Sequence, residues 1–369
     1  MRTVLGIIAG VAALLLTVAQ FGTAGWTKPP ILANQHGFRG TGMDQVKTKA
    51  EAAAIRDANV APAPAEKVEP GTDKAGTTYE NVQVLKDIST EEFNRLMVSI
   101  TEWVSPQQGC TYCHNTENMA DDSLYQKKVA RRMLQMVQHI NADWKEKHVG
   151  EAGVTCYTCH RGNPVPAQVW FDAPSPTRGF IARNNGQNMA TPSTGLASLP
   201  YTYLEDYLAK PDPDQSAIRV NATTALPEGK GKPIQQAERT FALMIHMSES
   251  LGVNCTYCHN TRAVAEWSQS TPQRTLAWHG IRMVRDLNGA YITPLTATFP
   301  PNRLGPKGDA PKINCATCHN GQNKPLGGAH VIEAYPELAR NTAAASAPQE
   351  KPAPAPTPAP TPAPAPAPQ

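Results

Sequence analysis

No cysteine in this chain stands outside four copies of one five-residue pattern, so none is left for a disulfide framework or a separate thiolate metal site. Aromatic residues are sparse, at 6% of 369 residues, whereas prolines number 34. That balance argues against a sheet or a large aliphatic core and for a loop-rich shell wrapped around something other than side chains. No block of Lys and Arg suggests nucleic acid, and a formal charge of +3 says little about partners. No cysteine follows the apolar N-terminal run, so a lipid-modified anchor is not expected there.

The pattern reads Cys110-Thr111-Tyr112-Cys113-His114, Cys156-Tyr157-Thr158-Cys159-His160, Cys255-Thr256-Tyr257-Cys258-His259 and Cys315-Ala316-Thr317-Cys318-His319. C-x-x-C-H is the attachment signature of c-type haem. The two thiols form thioethers with the vinyl groups, and the adjacent His becomes the proximal iron ligand. One copy would leave a zinc knuckle or a redox pair open. Four copies, each with His directly after the second Cys, point to four covalently bound haems c, with His114, His160, His259 and His319 on the irons.

Thioether attachment takes place on the outer side of an energy-transducing membrane, so the chain is expected to be exported. Arg2 precedes an apolar run from Val4 to about Phe21, close to the roughly 20 residues a membrane helix needs. Trp26 and Lys28 stand where interfacial anchors would sit. A cleavable signal ending near Gly22-Thr23-Ala24 is the other reading; a retained anchor is expected.

The chain then divides into residues 1–25 as membrane anchor, 26–88 as an extended strap, 89–163 as a first dihaem half, 164–233 as an irregular connector, 234–341 as a second dihaem half and 342–369 as an Ala/Pro-rich tail read as disordered. A helix is expected to start at Ser89-Thr90-Glu91-Glu92, with a hydroxyl cap and acids in its first turn, and to end before Pro106. Others are expected over 123–147, 235–251 and 272–287, with a short one near Tyr203 to Leu208. The halves repeat. Cys-Thr-Tyr-Cys-His-Asn-Thr is identical at 110–116 and 255–261, and a shift of 147 matches Met97 to Met244, Met136-Val137 to Met283-Val284 and Asn141 to Asn288. The fold class is therefore mainly α with extensive irregular loops, a multihaem cytochrome of two pseudo-symmetric dihaem halves behind an N-terminal membrane helix.

A second ligand on each iron decides its chemistry, and a thioether raises the potential relative to a second imidazole. Met97 and Met244 lie on helices leading into the first and third motifs at matching positions of the repeat. For the second haem, Met133 and Met136 lie one turn apart. Met136 matches Met283, whereas Met133 matches Gly280, so a Met133 ligand leaves the fourth haem to find its own elsewhere. The histidines outside the motifs are His36, His139, His148, His246, His279 and His330. On spacing, His148 and Met283 both remain open for the fourth haem.

These residues resemble the tetrahaem cytochrome c subunit of the purple-bacterial photosynthetic reaction centre. The resemblance spans about Gly37 to Tyr335 and is dense at 97–114 (MVSITEWVSPQQGCTYCH), 131–141 (RRMLQMVQHIN), 154–163 (VTCYTCHRGN), 241–260 (FALMIHMSESLGVNCTYCHN) and 270–288 (STPQRTLAWHGIRMVRDLN). It implies Met97, Met133 and Met244 as distal ligands of the first three haems and His148 as that of the fourth. It implies a nearly straight row of haems, with the third nearest a bacteriochlorophyll special pair held by L and M type subunits, and Arg274 beside that third haem. It implies a soluble donor, a small cytochrome c or a high-potential iron-sulfur protein, and the periplasmic face of the photosynthetic inner membrane. Glu102, Glu117, Asp121 and Asp122 around the first motif are a candidate docking patch for a basic donor. The chain departs from well-known members in lacking their N-terminal lipidated cysteine and in its Ala-Pro tail. An electron carrier is expected, not an enzyme; the alternatives are a periplasmic multihaem oxidoreductase with an open haem site and a membrane-anchored quinol-oxidising tetrahaem cytochrome.

Overall fold

A computed structural model describes residues 2–23, 31–35, 44–173, 199–200, 202–211 and 234–339. Trp26, Lys28, His36, most of the 164–233 connector and the Ala-Pro tail lie outside the described residues. Helix α1 (Arg2–Thr23) gathers the apolar N-terminal run. Its 22 residues, at 1.5 Å each, reach about 33 Å, enough for a hydrocarbon core of about 30 Å. Among the described residues it is the helix long and apolar enough to cross a bilayer.

The strap carries more structure than its proline and glycine content predicts. Strands β1 (Ile31–Gln35) and β2 (Asp44–Thr48) pair antiparallel, Ile31 opposite Thr48. Helix α2 (Lys49–Asp57) follows at once. Its start is a capping box: the Thr48 hydroxyl accepts from the Glu51 N–H at 3.1 Å, and the Glu51 carboxylate accepts from the Thr48 N–H at 2.8 Å. On both sides of α2 the strap ties distant parts together. The Gln45 amide donates to the Val253 carbonyl at 3.0 Å and the Asn59 amide to the Asn320 carbonyl at 3.0 Å, both in the second half. Further along, Arg95 of the first half donates to the Ala65 and Glu66 carbonyls at 2.9 and 2.8 Å. A short helix α3 (Ala75–Thr78) then leads to the body.

Helix α4 (Thr90–Val104) begins at Ser89, whose hydroxyl and the Glu92 carboxylate again form a capping box, and it buries Leu96, Ser99 and Trp103. Helix α5 (Tyr125–Asp143) ends a turn before the expected 147, because the backbone leaves helical geometry at Trp144 and a π-helical turn takes over at Lys145–Val149. The second motif is itself helix α6 (Cys156–His160). Strand β3 (Val169–Trp170), helix α7 (Tyr203–Leu208), helix α8 (Ile234–Leu251) and helix α9 (Pro272–Leu287) follow. Strand β4 (Lys312–Ile313) pairs antiparallel with β3, and the fourth motif is helix α10 (Cys315–His319).

Met136, Val137 and Ile140 of α5 join Met283, Val284 and Leu287 of α9 in one buried core. At the edge of that core, His139 bridges the helices: its Nε2 lies 2.7 Å from Asp286 Oδ2 and its Nδ1 lies 2.6 Å from Asp143 Oδ2. Trp144 Nε1 donates to the same Asp286 oxygen at 3.1 Å. Burial works against the imidazolium, but the hydrogen bonds and charges of Asp286 and Asp143 outweigh it, so the His139 pKa stands above its ordinary value. A raised folded-state pKa stabilises fully below the unfolded value and loses that contribution as pH rises through the folded one. His139→Gln is therefore expected to cost about 1–2 kcal/mol at about pH 5.5, the scale of a partly exposed charge-assisted hydrogen bond, and less at about pH 8.5. Thermal unfolding of the parent and variant holoproteins at the two pH values checks this; a gap that does not change with pH would remove the charged bridge.

Candidate haem sites

The four motifs take two local shapes. The first and third open with 3₁₀ turns, Gly109–Tyr112 and Cys255–Tyr257. There His114 Nδ1 lies 3.1 Å from the Met119 carbonyl and His259 Nδ1 lies 3.1 Å from the Val264 carbonyl, each five residues on. The second and fourth are single α-turns that end on left-handed residues, Arg161 at φ 47° and Asn320 at φ 46°. That reversal brings the chain back, so His160 Nδ1 meets the Asn163 carbonyl at 2.9 Å and His319 Nδ1 meets the Gln322 carbonyl at 3.0 Å. A carbonyl oxygen only accepts, so Nδ1 carries the proton in all four rings and Nε2 keeps its lone pair. This is the second-sphere contact that orients a ligating histidine.

Behind the second and fourth motifs stand two equivalent asparagines. Asn141 accepts from the Val154 N–H at 2.8 Å and donates to the Val154 and Leu338 carbonyls. Asn288 accepts from the Ile313 N–H at 2.9 Å and donates to the Ile313 and Leu208 carbonyls. Val154 and Ile313 each stand two residues before the first motif cysteine. The shift of 147 marks this pair in the sequence, but no residue type reveals its partners.

Burial pushes the Cys113 and Cys258 thiols up to about 11, and those of Cys156 and Cys315 up to about 12. Among the described residues, no three His, Cys, Asp or Glu side chains converge to hold a metal ion. The Cys159 and Cys318 sulfurs lie 3.1 Å apart, which brings the second and fourth motifs side by side.

A haem fits what surrounds the motifs. A cavity of about 920 Å³ is lined by the cysteines and histidines of both the first and second motifs, with Met97, Met133 and Met136 on its walls. Leu134, Ile292, Leu295 and Phe299 add apolar surface. Met244 is half-buried on α8 beside the buried Leu243 and Met247. His148 comes from the π-turn of the first half to the fourth motif: its ring centre lies 6.1 Å from that of His319. From that position His148 and His319 could hold one haem iron between them. Met283, the rival on spacing, is buried in the α5–α9 core.

Arg274 sits beside the third motif. Its guanidinium stacks 4.1 Å from the Trp267 ring centre and donates to Ser270 Oγ at 2.6 Å and the Glu266 carbonyl at 3.1 Å. Burial first, and then this cation, lower the His259 pKa. The acidic patch is smaller than its sequence suggests. Asp122 is tied to Arg131 at 2.7 Å and to Lys127 at 3.2 Å, so its charge is already met, which leaves Glu102, Glu117 and Asp121. Arg161, to which the sequence assigned no role, crosses between motifs: it donates to the Thr317 and Cys318 carbonyls at 3.1 and 2.8 Å and to Asn59 Oδ1 at 3.2 Å.

The family model described as the photosynthetic reaction centre cytochrome c subunit matches residues 27–339. The chain is 51% identical over 330 residues to the photosynthetic reaction center cytochrome c subunit of Rubrivivax gelatinosus, covering 88% of each. It is 45% identical over 338 residues to that of Thermochromatium tepidum, covering 90% of this chain and 81% of the relative. With that of Roseobacter denitrificans it shares 44% identity over 287 residues, 74% of this chain and 76% of the relative.

Asn288 offers a direct test of how the fourth motif is held. Asn288→Ala strands a buried N–H and two carbonyls, so a loss of about 3 kcal/mol is expected, together with a change in the haem absorption spectrum. Thermal unfolding and low-temperature absorption spectra of the holoprotein measure both; an unaltered spectrum would separate this asparagine from the haem site.

Proposed function

The chain belongs to the family of photosynthetic reaction centre cytochrome c subunits, and from that membership we propose a tetrahaem relay with named ligands and a named geometry. It is a c-type cytochrome subunit that transfers electrons to the reaction centre. Bound haems c supply one-electron redox at their irons; the residues hold, orient and tune them. We assign the four motifs to four haems, with His114 and Met97, His160 and Met133, His259 and Met244, and His319 and His148 as the ligand pairs.

Two pseudo-symmetric dihaem halves are the architecture we favour. Residues that meet their own repeat counterparts mark a two-fold axis. His139 meets Asp286, 147 residues on, and Cys159 meets Cys318, its counterpart in the fourth motif. An axis through both contacts would put the second and fourth sites at the centre and the first and third outside. The third site, with Arg274, would face the special pair of the L and M subunits at the periplasmic face of the membrane, with α1 as anchor. The first site, with Glu102, Glu117 and Asp121 near it, would receive electrons from a basic soluble donor, a small cytochrome c or a high-potential iron-sulfur protein.

The observation that carries this reading is the shared Nδ1-to-carbonyl contact that presents Nε2 at all four motifs. Flash illumination of membranes containing the complex tests it: bleaching of a reduced haem band is expected to follow the flash as the special pair recovers. Recovery of the special pair with no haem oxidation would overturn the assignment. Arg274→Gln removes a fixed cation that disfavours the oxidised, more positive iron. The third haem's midpoint is expected to fall by about 59 mV, a tenfold change in its oxidised-to-reduced ratio, with the other three unmoved in a redox titration.

A further inference from the structure

Gly280 lies inside α9, where glycine is disfavoured relative to alanine, so its presence there asks for a physical reason. A Cβ built on it would stand 2.7 Å from His148 Cε1 and 3.2 Å from both ring nitrogens, and these are its three nearest atoms. The same imidazole donates from Nδ1 to the Leu276 carbonyl at 2.9 Å, one helical turn earlier on the same face. His148 is thus seated on the bare backbone of the Leu276–Gly280 turn, in the space that a side chain at 280 would fill. Its ring faces His319 from that seat.

The repeat makes the arrangement reciprocal. The shift of 147 that superposes Asn141 on Asn288 also places Met133 on Gly280 and His148 on Leu295. Leu295 stands in the turn Thr293–Leu295 beyond α9, as His148 stands in the turn beyond α5. Leu295 and Met133 line the cavity of the first two motifs. At the fourth site, then, a turn of the first half fills the space that α9 leaves at Gly280, and the repeat predicts the reverse arrangement of Met133 and Leu295 at the second. In the second site the helix offers a thioether and the turn an inert Leu. In the fourth the helix offers nothing and the turn an imidazole.

We propose that the pairs Met133–Leu295 and Gly280–His148 form a reciprocal selector, which gives the second haem a methionine and the fourth a histidine although both hang from equivalent motifs. The proposal rests on the reading of Met133 and His148 as ligands. Its consequence is a step in potential between adjacent haems, since methionine raises the potential relative to histidine.

Holoprotein variants separate the two layers. His148→Leu is expected to leave one haem high-spin and able to bind cyanide. Adding Gly280→Met should return that haem to the low-spin state with the weak far-red methionine–iron band, and raise its midpoint above the parent value by at least about 59 mV, a tenfold shift in its redox ratio. If His148→Leu leaves all four haems low-spin with unchanged midpoints, the ligand assignment itself fails. If it vacates one haem but Gly280→Met in the same chain leaves it high-spin while haem content and circular dichroism match the parent, the selector fails and the ligand assignment stands. Gly280→Ala alone guards against misfolding of the double variant: it is expected to shift the spectrum and midpoint of one haem only, and an unchanged fourth haem would overturn the selector.

Discussion

A metal at the centre of a flat ring accepts ligands from its two faces, and that demand organises this chain. The motif supplies one face, with a histidine held within five residues of its thioethers. The other face has to come from an element that crosses above the ring, and a helix running into the motif is the shortest way to bring it. On the proposed assignment Met97 on α4 and Met244 on α8 would stand in that relation to the first and third motifs. The repeat of helix, motif, helix, motif would then be the same ligation problem met four times along one chain.

Holding the ligands still falls to hydrogen bonds that are easy to overlook. Each motif histidine gives its Nδ1 proton to a carbonyl three or five residues on, so ring rotation and tautomer are fixed by backbone that cannot itself change charge. Asn141 and Asn288 pin the approach to the second and fourth motifs from behind. Arg161 and Asn59 knit those two motifs to each other and to the strap. The Asn141 and Asn288 bonds are buried, where a hydrogen bond is stronger and its loss is costlier.

Much of this was legible beforehand, because cofactor attachment and helix initiation are written in short local codes. The motif spells out its own chemistry, and Ser89 with Glu92 announces α4. The start of α9 follows from Pro272. The hairpin and α2 were hidden because the Ala-Pro runs nearby dominate the composition, although Thr48 and Glu51 carry a capping signature of their own. The end of α5 at Trp144 has no such signature, since a π-turn is stabilised by what packs on it. Contacts across the repeat, such as His139 on Asp286, could be reached only through the fold. Gly280 was visible as a gap in the repeat and His148 as a candidate for the fourth haem; that the His148 ring lies in the space a Cβ at 280 would take was not.

Saturation of the irons would separate a carrier from a catalyst, and on the proposed ligand assignment charge and geometry agree. A ligating imidazole must be neutral, and burial favours that state: His160 is lowered and His319 is pushed down to about 4, with His148 lowered by the same cause. A substrate-binding site would instead need a vacancy beside one iron and a polar group to meet the incoming molecule. On the ligand assignment favoured here, the place where such a vacancy would open, above the fourth motif at Gly280, is closed by a ring from the other half of the chain. Joining the halves and completing the last iron are then one interaction, so the two-fold arrangement cannot loosen without altering the redox centre it encloses.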